Sequence, residues 1–150
     1  MEEKRILFDE IRTLTRTIAR RVEDKGNITH IIGLARGGLI PATIMSYTLD
    51  KPLLTYGISS YEGSKKTGNF HISQSLNLNE LKEKNNNLHF LVVDDICDTG
   101  DTMDHIRKKL AFAGILYTTA CICTKEKHTK WLDHYGTVVS DNKWIVFPWE

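Results

Sequence analysis

The chain predicts an α/β fold: one domain with a parallel sheet and helices on both faces. Three observations carry this expectation. Strand-length apolar runs alternate with segments of helical periodicity. The Gly- and Asp-rich turns each follow a strand and precede a helix, as in sheets that bind ligands at the carboxyl ends of their strands. A length of 150 residues with 41% hydrophobic content suits one core, with no repeat or linker to mark a second domain.

Phe8, Ile11, Leu14, Ile18 and Val22 recur every three or four residues and predict a helix over residues 7–23, ended by Lys25-Gly26-Asn27. Residues 28–34 read as a short buried strand, and Ala35-Arg36-Gly37-Gly38 as the turn after it. A helix over residues 39–49 follows, with Pro41 tolerated in its first turn. Residues 53–60 predict a second parallel strand. The pattern then weakens: residues 62–69 are polar and Gly-bearing and read as a mobile loop. Phe70, Ile72, Gln74 and Leu76 alternate with polar residues as in a hairpin, and residues 84–87 read as a loop. Residues 90–94 are a strand, a helix starts near Thr102 (Met103, Ile106, Leu110), and residues 118–124 are a further strand.

A formal net charge of +1 gives no reason to expect nucleic acid or an anionic membrane as partner. No apolar run is long enough to span a bilayer, and the first five residues lack the apolar core of a signal peptide. The three cysteines have no zinc-like spacing, so reduced thiols and a cytoplasmic location are expected, with Cys121 and Cys123 on one face of a strand. The six histidines show no nucleophile pairing or metal spacing.

The most informative stretch is Leu-Val-Val-Asp-Asp-Ile-Cys-Asp-Thr-Gly-Asp-Thr-Met, residues 91–103. An apolar strand ends in two carboxylates, Asp94 and Asp95, then turns through Asp98, Thr99, Gly100, Asp101 and Thr102 into a helix. Free amides at a helix start suit a phosphate, and paired carboxylates suit vicinal sugar hydroxyls or a metal bound to them. Helix capping explains an acid such as Asp98, since negative charge there stabilises by about 0.3–1 kcal/mol. It does not explain two like charges at the end of a buried strand, which repel unless a cation or hydroxyl donors face them. Arg36-Gly37-Gly38, taken alone, fits an ordinary turn or an anion grip equally well.

This motif resembles the phosphoribosyl-diphosphate (PRPP) motif of type I phosphoribosyltransferases. The resemblance implies that family's parallel-sheet fold, with a small hood over residues 125–150. Asp94 and Asp95 would hold the ribose hydroxyls, and Asp98, Thr99, Gly100, Asp101 and Thr102 would cradle the 5′-phosphate. Ala35, Arg36, Gly37 and Gly38 would form the pyrophosphate loop, with a strained peptide entering Arg36 that is often cis in the family. Ser60, Tyr61, Lys65 and Lys66 would belong to a mobile loop over residues 61–73. Ile58-Ser59-Ser60-Tyr61, Lys125 and the closing Trp-Ile-x-x-Pro-Trp-acid pattern resemble the xanthine–guanine branch. That likeness implies Ile96, Lys125, Trp144 and Ile145 around a 6-oxopurine, and Asp98 as the base at purine N7. It also implies Mg²⁺ at Asp94 and Asp95 through ribose hydroxyls or water, PRPP and a purine as partners, and a homodimer or tetramer. The alternatives are another base acceptor, or a PRPP- or nucleotide-binding regulator with the same fold.

Overall fold

The protein is described from a computed structural model, covering the backbone of residues 1–62 and 65–150 and the side chains outside residues 60–69. In chain order the elements are β1 (Glu2–Arg5), α1 (Phe8–Lys25), β2 (His30–Ala35), α2 (Leu39–Leu49), β3 (Leu53–Glu62) and β4 (Lys65–Gln74). They continue with α3 (Leu78–Lys84), β5 (His89–Cys97), α4 (Asp101–Phe112), β6 (Leu116–Lys125), a 3₁₀ turn (Glu126–Trp131), β7 (His134–Val139) and β8 (Lys143–Val146). A six-stranded sheet has the order β4-β3-β2-β5-β6-β7. Every neighbour pair in it is parallel except β3–β4, which is antiparallel.

Two apolar clusters cover the two faces of this sheet. On one, α1 and α2 contribute Ile11, Ile18, Val22, Ala42 and Met45 against Ile31, Leu91, Val93, Ala120 and Ile122. On the other, Met103, Ile106 and Leu110 of α4 pack on Ile32, Tyr56, Phe90 and Val92, with Leu78 and Leu81 of α3 at the margin. The period of two along each strand supplies both faces, which is why the central strands are apolar runs without alternation. Among the described residues no helix is long and apolar enough to cross a membrane.

Several expectations need correction. The hood is not confined to the C-terminal residues: β1 pairs in parallel with β8, matching Glu3 to Trp144 and Lys4 to Ile145. All four β1 residues are exposed and charged, so no apolar pattern announced the strand. Residues 62–69 were expected as a loop, but β4 already begins at Lys65; from Phe70 it is the expected hairpin return along β3. Gly63 and Ser64 lie outside the described residues. α3 is capped by Asn77, whose side chain accepts from the Glu80 amide at 3.0 Å, an N-cap with the Asn-x-x-Glu pattern. Cys121 and Cys123 belong to different clusters: β6 changes face between them, and β5 does the same between Asp94 and Ile96, so the two strands keep their register.

Ile122 is fully buried beneath α1 in the first cluster. Ile122→Ala is expected to destabilise the protein by about 2–5 kcal/mol, read as a lower urea midpoint with an unchanged slope.

Candidate active site

The site lies where β2 and β5, adjacent and parallel, run out at their carboxyl ends. β2 leads into Arg36-Gly37-Gly38 and α2, while β5 carries Asp94 and Asp95 into the turn before α4. The Ala35–Arg36 peptide is cis. The two glycines are needed for contact rather than for backbone freedom. A Cβ on Gly37 would fall on the Asp95 carboxylate, and one on Gly38 would fall on the Val93 carbonyl and lie 2.8 Å from that of Leu34. Backbone cannot step aside as a flexible side chain can, so Gly38 admits no other residue, whereas a side chain at Gly37 would have to displace the Asp95 carboxylate.

The resulting cleft, of about 370 Å³, is lined by Ala35, Arg36 and Gly37, by Asp94, Asp95 and Thr102, and by Ile58, Ser59 and Ser73. A smaller hollow of about 150 Å³ adjoins it, bounded by residues 94–100, Thr102, Met103 and Cys121. A larger depression, of about 910 Å³, opens at the amino ends of the strands near Asn27, Thr29 and Leu116, without paired acids or a glycine loop.

Asp94 and Asp95 are half-buried and form no ion pair among the described residues. Asp94 Oδ1 accepts from the Asp95 amide at 2.9 Å, and Asp95 Oδ1 from the Ile96 amide at 2.7 Å. Burial, and then the neighbouring Asp95 charge, push the Asp94 carboxyl well above the usual carboxylate range. Burial also raises Asp95, opposed by its hydrogen bonds and reinforced by the charge of Glu150. Two oxygen-donor groups short of positive charge fit a divalent cation. A cation such as Mg²⁺ would be held there by one or two carboxylates, with substrate and water completing its shell.

Beyond the acids, Gly100 holds φ +86° as the N-cap of α4, and the Asp104 amide donates to its carbonyl at 2.9 Å. Helix geometry leaves the amides of Thr102 and Met103 without intrahelical carbonyls, so they are donors for an anion. Asp98, Thr99 and Asp101 are exposed, and the Asp101 amide reaches Thr99 Oγ1 at 3.4 Å. Asp101 therefore sits at the exposed rim of the turn into α4. Arg36 is exposed, with no side-chain partner among the described residues.

The residues expected around a base cluster on the next strands. Pairing of Cys97 with Thr124 brings Lys125 alongside the turn at Asp98. Lys125 is buried, and its Nζ donates to the carbonyls of Ser140 at 2.7 Å and Lys143 at 2.9 Å, leaving the third N–H of the ammonium for a ligand. Ile145 is buried in the cluster that Ile96 joins, whereas Trp144 is 55% exposed, with ring surface open to a planar partner. The two carbonyls that hold Lys125 were not foreseen, because pairing between a side chain and a distant turn leaves no local signal. The side chains of Ser60, Tyr61, Lys65 and Lys66 lie outside the described residues.

The phosphoribosyl transferase domain model matches residues 2–150. The chain belongs to the phosphoribosyltransferase family. It is 30% identical over 146 residues to the xanthine-guanine phosphoribosyltransferase of Idiomarina loihiensis, covering 97% of this chain and 85% of that protein. The purine phosphoribosyltransferase crystal structure from Pyrococcus horikoshii is similar with TM-score 0.82 and 28% identity, covering 100% of this chain and 95% of that one. The xanthine-guanine-hypoxanthine phosphoribosyltransferase of Helicobacter pylori, at 19% identity, shares the fold with TM-score 0.80 over 99% of this chain and 94% of its own. The parallel-sheet phosphoribosyltransferase fold expected from the sequence is thus borne out.

In the folded phosphoribosyltransferase Asp94 binds its proton more tightly than an ordinary carboxyl. Between the usual carboxylate range and that raised value the folded state holds more protons than the unfolded one, so stability falls as pH rises through the window. Asp94→Asn is expected to raise the melting temperature of the unliganded protein, and to do so more at about pH 8 than at about pH 5. Thermal melts across that range check it; an equal or smaller gain at the higher pH contradicts it.

Proposed function

We infer that the protein transfers the 5-phosphoribosyl group of PRPP to a 6-oxopurine (xanthine, guanine or hypoxanthine) and releases pyrophosphate, a purine-salvage reaction. The observation that carries this reading is the direct contact of the Gly37–Gly38 loop with Asp94 and Asp95, in a cleft that continues to Thr102. One PRPP molecule needs these three functions side by side: a grip on pyrophosphate, acceptors for ribose hydroxyls, and amides for the 5′-phosphate.

Displacement of pyrophosphate at C1′ leaves positive charge on the sugar, so positioning, leaving-group neutralisation and exclusion of water dominate catalysis. In this reading Arg36 and the loop amides bind the pyrophosphate. The carboxylates of Asp94 and Asp95 accept from the 2′- and 3′-hydroxyls. Mg²⁺ held there through the hydroxyls or water would supply most of the leaving-group neutralisation. Asp98 accepts the proton at purine N7, which raises nucleophilicity at N9. The third N–H of Lys125 donates to O6 and so favours oxo over amino purines. Trp144 stacks on the ring, and the backbone at Ile145 reads the group at C2. Cytoplasmic residence with three buried free thiols, and assembly into a dimer or tetramer, belong to the same reading.

Absorbance assays with Mg²⁺, PRPP and each purine in turn test the reaction; PRPP or nucleotide binding without turnover on any base would favour a regulator instead. Asp98→Asn is expected to lower kcat by about 10²–10⁴-fold, with a much smaller change in PRPP affinity. Lys125→Met is expected to raise the KM for oxopurines by roughly tenfold while the KM for PRPP changes little.

A further inference from the structure

We propose that Ser73, on the antiparallel strand β4, is a further pyrophosphate-binding residue, its hydroxyl donating to an oxygen of the leaving group. The inference rests on the PRPP reading above and is carried by three observations. Ser73 lines the cleft that holds Arg36, Gly37 and Asp95. It also occupies an irregularity in the sheet. Gly57 of β3 pairs with Gln74, and the next residue, Ile58, pairs with Ile72, so Ser73 is the extra residue of a β-bulge with no partner across the ladder. A bulge re-aims the side chain it carries, and bulges concentrate beside active sites.

Gly57 shows where that side chain is aimed. A Cβ at this position would fall on Ser73 Oγ, so the hydroxyl takes the space that any other residue would fill. On its other side Gly57 pairs with Ala35, the residue entering the cis peptide and the pyrophosphate loop. The sheet thus places a serine hydroxyl across one bare glycine from that loop. Among the described residues the hydroxyl has no hydrogen-bond partner. With a guanidinium and a glycine amide lining the same cleft, the ligand that completes it is an oxyanion. A hydroxyl adds directional donation to that wall without further charge, and it recognises the outgoing pyrophosphate rather than the sugar phosphate held near Thr102.

Calorimetric titration of pyrophosphate and, separately, ribose 5-phosphate in Mg²⁺ buffer into the wild-type protein and Ser73→Ala tests this. Ser73→Ala is expected to bind pyrophosphate about tenfold more weakly, to bind ribose 5-phosphate like the wild type, and to melt at the same temperature. Its KM for PRPP should rise by a similar factor while kcat moves less, and Ser73→Thr, which keeps the hydroxyl, should recover most of the loss. Equal pyrophosphate affinity in wild type and Ser73→Ala overturns the assignment, as does a parallel loss of ribose 5-phosphate binding. If the wild-type protein binds neither ligand, the PRPP reading itself falls, and the role of Ser73 with it.

Discussion

Everything at this site depends on how closely the turn after β2 lies against the end of β5. The parallel pairing of β2 with β5 ends at Gly33 and Val93, so the turn after β2 passes beside Asp94 and Asp95, where β5 continues. Side chains on the β2 turn would hold them apart. Gly37 and Gly38 remove that obstacle, so the Asp95 carboxylate and the backbone at Val93 and Asp94 abut the loop directly. The glycine loop with Arg36 and the acid pair thereby become neighbouring parts of one cleft. Effective catalysis of group transfer needs reacting parts held at close quarters, and sheet geometry supplies that before any ligand arrives.

The acid pair is the counterpart of this closeness. Burial raises both carboxyls, and the Asp95 charge raises Asp94 further, so the unliganded site is electrostatically unfavourable as it stands. Amide donors from Asp95 and Ile96 offset only part of that, because each carboxylate keeps further acceptor capacity. The structure therefore holds a local disadvantage that positive charge and hydroxyl donors relieve. The surrounding core makes this tolerable: Leu91, Val92 and Val93, immediately before the acids, are fully buried in the clusters on both faces.

What the sequence made legible was the local part of this arrangement. Residues 91–103 contain strand, acids, turn and helix start without a break, so their chemistry could be read in one pass. α2 was expected with the bounds it has, since Gly38 and Asp50 punctuate its apolar run. Features set by pairing between distant segments were not legible. β1 is four charged residues that become a strand only because β8 offers an edge, and β4 begins at Lys65 within a polar stretch, ahead of the alternation from Phe70 that announces the hairpin. The bulge at Ser73 is a property of register, visible only when Gly57 and Ile58 are matched to their partners.

The base side follows the same logic through a different interaction. A buried ammonium with no ion-pair partner among the described residues needs strong acceptors, and Lys125 finds them in the carbonyls of Ser140 and Lys143. Those carbonyls flank the turn from β7 to β8, and the Lys143 amide closes that turn on Ser140 at 3.1 Å. The residue after Lys143 is Trp144, and β8 is paired along its length with β1. Thus the cation that would read a purine oxygen and the ring that would cover the purine are held by one turn, clamped from its far side by the N-terminal strand. In the proposed reading, base recognition would be built from residues at both ends of the chain and PRPP recognition from the middle. The two meet where the pairing of Cys97 with Thr124 brings Asp98 and Lys125 to the same end of the sheet.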